Sequence, residues 1–168
     1  MSIKQLTVFV ENKQGAVIPI TEILSENNIN IRALSIAETE DFGILRLIVN
    51  DNETATKVLG EKDYLLKITD VVGVKIGDAP GKLSMALDVL DKEGINMEYL
   101  YAFMARTEKH AYVVLRVADN AHAEKALEDA GFHLIEDADV NKLLSQDANY
   151  ENKSLAPYGA RDFFCFLA

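Results

Sequence analysis

Asn12 and Gly15, and 66 positions later Asp78 and Gly81, carry the residue types from which a small zwitterion can be gripped. Each glycine falls where a strand pattern gives way to a helical one, and glycine there permits positive φ or lets another group come close to the backbone. The helix that follows opens with unpaired N–H groups, a ready seat for a carboxylate. Asn12 and Asp78, three residues earlier, can turn a side-chain oxygen toward an ammonium. Loop and helix end together suit the polar half of a free amino acid. The same residues also have plain structural roles: Gly15 and Gly81 as turn glycines, Asn12 and Asp78 as Asx-turn or capping residues.

Other chemistry finds little support. His110, His122 and His133 read as lying in a turn, a helix and a strand, without the i, i+4 pairing or cysteine partner of a zinc or heme site. Glu136, Asp137 and Asp139 lack the ligand spacing of a calcium loop and read as a solvated chain end. The single cysteine, Cys165, has no identifiable base near it, and no serine sits in a nucleophile elbow. Neither a phosphate loop nor a dinucleotide fingerprint occurs. The expectation is a protein without catalytic residues, cofactor or metal.

The elements that must position the two loops come in duplicate. Asp51-Asn52, Ala55, Lys57 and Leu59 return as Asp119-Asn120, Ala123, Lys125 and Leu127, after a two-residue insertion around Thr107 and Glu108. A long period with matching punctuation means two copies of one small domain. Leu6, Val8 and Val10 alternate with Gln5, Thr7 and Phe9 to give a first strand, and Val72, Val74 and Ile76 do the same in the second copy. Val17, Ile20, Ile23 and Leu24, like Leu83, Ala86, Leu87 and Leu90, form the apolar face of a helix that stops at Asn28 or Gly94. Second strands run from Ile29 to about Ala37 and from Ile95 to about Met104. Third strands carry Leu45, Leu47 and Val49, or Val113, Leu115 and Val117. Asp51 and Asp119 are N-cap candidates for a second helix, and Tyr64 to Ile68 and Phe132 to Ile135 are the fourth strands.

Each copy therefore reads βαββαβ, an α+β unit of ferredoxin-like type with both helices on one face of an antiparallel sheet. The expected division is residues 1–69, residues 70–138 and a C-terminal extension of residues 139–168. The open sheet faces, with Tyr112 and the run Tyr99, Tyr101 and Phe103, need a cover. A homodimer, another sheet face or the apolar tail Phe163 to Leu167 could supply it.

Charge limits the partners. With 17 basic against 27 acidic residues the formal charge is −10, which repels nucleic acid and anionic lipid. No apolar run approaches the ~20 residues of a membrane span, and the one cysteine agrees with a reducing compartment. A cytoplasmic protein with no nucleic-acid or membrane partner is expected.

Asn-Lys-Gln-Gly-Ala, with Asn-Ile-Asn-Ile one helix later, and Asp-Ala-Pro-Gly-Lys-Leu, with Gly-Ile-Asn-Met, resemble the signature of ACT domains over roughly residues 1–137. The resemblance implies ferredoxin-like units packed side by side, with amino-acid effectors held between the loop of one unit and the second strand of its neighbour. Carried onto this sequence, one site is Asn12 and Gly15 with Asn96, the other Asp78 and Gly81 with Asn30. The first is favoured, because Asp78 repels a carboxylate unless it faces the ammonium. Asn30 and Asn96 could instead be strand-start residues that bond a loop. The implied protein is a non-catalytic amino-acid sensor, homodimeric and able to engage a partner enzyme. Glu11 to Ala16 also resemble the effector loop of acetolactate synthase small subunits, which makes a regulatory subunit of a biosynthetic enzyme one rival and a small ferredoxin-like enzyme another.

Overall fold

A single strand ties the two copies together. In the computed structural model, which describes residues 2–39, 42–103 and 110–142, the first copy comprises β1 (Ile3–Glu11), α1 (Ile18–Glu26), β2 (Ile31–Glu38), β3 (Phe42–Val49), α2 (Asn52–Gly60) and the start of β4 (Leu65–Gly77). The second continues along β4 and adds α3 (Lys82–Lys92), β5 (Met97–Ala102), β6 (His110–Val117), α4 (Asn120–Asp129) and β7 (His133–Ile135); α5 (Asp137–Lys142) follows. The 13 residues of β4 change partner midway: Leu65 to Val71 pair with β1, whereas Val72 to Gly77 pair with β6. The last strand of one unit is thus the first strand of the next. The sheet order is β2-β3-β1-β4-β6-β5, with β7 also on β4.

Side-chain alternation sorts the sheet into two faces. Leu6, Val8 and Val10 of β1 meet Ile20 and Leu24 of α1 and Ala55 and Leu59 of α2 in one buried cluster. Val72, Val74 and Ile76 meet Ala86 and Leu90 of α3 and Ala123 and Leu127 of α4 in its counterpart. Burying each such leucine or isoleucine is worth about 1.5–3 kcal/mol. The helix ends follow the sequence: Asp51 and Asp119 accept from the N–H of Thr54 and His122 as N-caps, and Asn28, Gly94 and Gly131 turn left-handed after α1, α3 and α4.

The opposite faces close on each other. Ile3, Ile48 and Val71 from the first unit and Tyr101, Phe103, Tyr112, Val114 and Ile135 from the second form a third cluster, which also takes in Val140 of α5. Ala33 of β2 and Phe103 make an antiparallel bridge, so the two edge strands of the sheet meet and the strand order returns to its beginning. The open face carrying Tyr112 and Val114 is covered by the first unit of the same chain, and a homodimer is no longer required by it.

Some boundaries differ from the sequence reading. The second strands start at Ile31 and Met97 rather than Ile29 and Ile95, each with a bulge after its first residue. His110 opens β6 instead of lying in a turn, and the stretch read as a solvated chain end at Glu136 to Asp139 runs into the helix α5 from Asp137. The tail Phe163 to Leu167, Met104, Cys165 and the insertion around Thr107 lie outside the described residues. Among the described residues no helix is long and apolar enough to cross a membrane.

Candidate functional site

Three tight turns carry the chain from β1 into α1. Lys13 N–H donates to Glu11 O at 2.9 Å, Ala16 N–H to Lys13 O at 3.2 Å and Ile18 N–H to Gly15 O at 3.1 Å. Gly15 sits at φ +79°, left-handed backbone that a side chain would strain. Asn12 Nδ2 donates to Thr39 O at 3.3 Å, which ties the loop to the end of β2 and leaves the amide oxygen without a partner among the described residues. Lys13 pairs with Glu11. The contact holds the lysine above and the glutamate below its ordinary range, each chiefly through their mutual hydrogen bond.

Beneath this loop, on the helix side of the sheet, lies a recess of about 370 Å³. Its floor is Val10, Gly43 and Ile36 from three adjacent strands, Ala16 and Val17 wall it, and Glu38 stands at the rim. The volume is at the small end for ligand pockets. Ile36, Glu38 and Gly43 were missed by the sequence reading. The available signal was the lone glycine inside the apolar run Phe42 to Val49, a pattern that marks close approach of another group.

The second loop repeats the backbone with different details. Ala79 N–H donates to Gly77 O at 3.0 Å, Lys82 N–H to Ala79 O at 3.2 Å and Met85 N–H to Gly81 O at 3.0 Å. Gly81, at φ +86°, is itself the N-cap of α3, whereas α1 waits until Ile18 and spends an early position on Pro19, which has no N–H. A Cβ on Gly81 would meet nothing within 4 Å. Asp78 has no hydrogen bond or ion pair among the described residues.

The two asparagines differ as well. Asn30 N–H donates to Asn50 Oδ1 at 2.8 Å, and Asn50 N–H returns to Asn30 O at 3.2 Å, a bracket between the start of β2 and the end of β3. Asn96 lines a groove with Asp91 and Gly94 at the far end of α3. No described hydrogen bond joins Asn12 or Gly15 to Asn96, or Asp78 or Gly81 to Asn30.

The tyrosine run serves the junction. Gln5 of β1 is fully buried and uses its whole amide: Nε2 donates to Tyr99 Oη at 2.9 Å and to Thr7 Oγ1 at 3.1 Å, and Oε1 accepts from Tyr101 Oη at 2.9 Å. The guanidinium of Arg46 lies 4.0 Å from the centre of the Tyr99 ring. Burial drives the Tyr101 phenol well above its usual range, so it stays a neutral donor. Neither Gln5 nor Arg46 was expected here.

Two ferredoxin-like units sharing one antiparallel sheet, each with a left-handed glycine between first strand and first helix, define a paired small-domain α+β fold. The signature of the ACT domain pair matches residues 1–144, and the chain belongs to that family. A crystal structure of a Bacteroides thetaiotaomicron protein is similar at 40% identity and a TM-score of 0.79, covering 85% of this chain and 98% of that one. The ligand-free regulatory subunit of aspartate kinase from Thermus thermophilus shares the fold at 15% identity and a TM-score of 0.55, over 76% of this chain and 92% of that one. A structure of aspartokinase alpha and beta subunits does so at 18% identity and a TM-score of 0.55, over 76% and 90%. No curated protein matches the sequence.

Proposed function

We propose that this ACT domain pair is a non-catalytic sensor of a free amino acid. The observation that carries the reading is the recess under Asn12 to Gly15: a concave site beside a left-handed glycine and a helix start, in a chain of this family. Free N–H groups around Gly15 and the start of α1 receive the carboxylate, and the amide oxygen of Asn12 receives the ammonium. Strand directions support a contribution from the second unit. β2 and β5 meet antiparallel at Ala33 and Phe103, which runs the start of β5, with Asn96, toward the end of β2 nearest Asn12. By the same geometry Asn30 lies toward Asp78 and Gly81, the second proposed site.

Binding regulates only if it prefers one arrangement of the junction over another. The Gln5, Tyr99 and Tyr101 network is where two arrangements would differ. A second reading, a regulatory subunit of a biosynthetic enzyme, draws on the fold shared with the Thermus thermophilus subunit and on the exposed apolar residues Leu34 and Met85. Calorimetry with the twenty amino acids tests the first reading, and heat absorbed or released by none of them sinks it. Co-purification of an enzyme at fixed stoichiometry would move the function to the second.

A further inference from the structure

The recess under the first loop owes its depth to one missing side chain. Gly43 faces Val10 across β1 and β3 and Glu38 across β2 and β3. A Cβ built on it would come within 3.0 Å of Val10 Cγ2 and 3.7 Å of Ile36 Cδ1. Its backbone lies outside the left-handed region, unlike that of Gly15, so strand geometry does not demand a glycine. Space does. In the second unit the equivalent residue is Ala111, which pairs with Ile76 as Gly43 pairs with Val10.

The floor has a definite chemistry. Val10, Val17 and Ile36 offer methyl groups and no hydrogen-bond partner, and Ile36 is 55% exposed, so an apolar group seated there removes more hydrocarbon from water. A hydroxyl or charge pushed onto the same floor loses its hydration without compensation. At the rim Glu38 has no partner among the described residues, which favours a ligand ammonium and repels a carboxylate on the ligand side chain.

We infer that this recess receives the ligand's side chain, that Gly43 sets its depth, and that the ligand class is an α-amino acid with a small branched aliphatic side chain. The inference rests on the amino-acid-sensor reading and adds a specificity-determining residue to it. One methylene in such a pocket is worth roughly 10- to 200-fold in discrimination.

The test is calorimetry on the full chain with glycine, alanine, valine, isoleucine and glutamate, on the unchanged protein and on Gly43→Ala and Ile36→Ala. Valine and isoleucine should bind more tightly than glycine or alanine, and glutamate should not bind. Gly43→Ala should weaken valine and isoleucine roughly 10-fold or more, while glycine and alanine change far less. Ile36→Ala alters a half-exposed residue and so keeps the question open should Gly43→Ala fail to fold; it should weaken isoleucine by a similar factor. Binding that is tight but indifferent to both substitutions, or strongest for glutamate, overturns the inference and leaves the sensor reading standing. Absence of binding by these five overturns the inference alone, and absence of binding by all twenty amino acids removes the sensor reading as well.

Discussion

The first and second loops are two versions of one device, and their differences are more informative than their likeness. Both leave a strand, turn tightly and place a left-handed glycine before a helix. The first has a neutral Asn12 tied to the end of β2, a delayed helix and Gly43 below; the second has an Asp78 with no partner among the described residues, a helix that starts at once and Ala111 below. Backbone geometry set by glycine survives duplication because few residues can replace it. Side chains around it are free to diverge. The lesson is that a repeated signature marks equivalent scaffolds without making equivalent sites.

The most damaging way to probe that contrast is to remove the frame both loops share. Gly73 lies just past the partner change in β4, and a Cβ there would come 2.3 Å from Ile3 Cδ1 and 3.2 Å from Ile135 Cβ. Gly73→Val should cost about 1–3 kcal/mol by overpacking, read as a lowered urea midpoint. Because the clash falls on both units, one shared transition is expected; loss of structure in one unit only would show that they are independent.

Next in size is the polar tie between units. Gln5→Leu leaves the buried hydroxyl of Tyr101 and the half-buried one of Tyr99 without their partner. It should lower stability by about 1–3 kcal/mol, again by urea titration. A neutral result would mean that the network is dispensable to the junction.

The sharpest effect on the comparison itself comes from a matched pair. Gly15→Val and Gly81→Val each force a β-branched residue into left-handed backbone, costing roughly 1–3 kcal/mol. Circular dichroism should still show the fold. Calorimetry should find binding at the Asn12 loop abolished by the first and retained by the second; the reverse would transfer the favoured site to the Asp78 loop.

The mildest probe is acid. Lys4 and Asp70 pair across β1 and β4 at 2.6 Å, and the hydrogen bond from Lys4 holds the Asp70 carboxyl below its ordinary value of 3.8. A depressed carboxyl stabilises the fold above that ordinary value, and the contribution fades as pH falls through the folded one. With the carboxylate 47% exposed, solvent screening limits it to about 0.2–1 kcal/mol. Asp70→Asn should therefore lower the melting temperature slightly at neutral pH, and progressively less as the pH falls through the depressed folded value of Asp70, where the carboxylate takes up a proton and the pair is lost. Equal losses at both would remove the charge from the explanation.

The fold was legible because duplication made each weak signal count twice: Gly15 with Gly81, Asp51 with Asp119, Asn28 with Gly94. The continuity of β4 was not, since Lys67, Thr69 and Asp70 look like the polar end of a strand. In the structure they are simply its less covered stretch, paired with β1 throughout. Gln5 misled for a related reason, because a polar residue in strict alternation points to solvent unless another chain segment brings it partners. Those partners are Tyr99 and Tyr101, more than ninety residues away, and no local pattern predicts such a meeting. The loop half of the candidate site was readable from its glycine and asparagine. Its floor was assembled by pairing among β1, β2 and β3, and only Gly43 left a trace in the sequence.

The shared strand also decides what can be cut out of this protein. A gene fragment ending before Leu65 deprives the first unit of one of the two strands that β1 pairs with, and one beginning after Val71 leaves Tyr112 and Val114 without the Ile3 and Ile48 they pack against. Neither half is a portable cassette. Grafting the first loop onto another protein means carrying β4 along, and with it the unpaired edge of its second half, a template for strand exchange between copies.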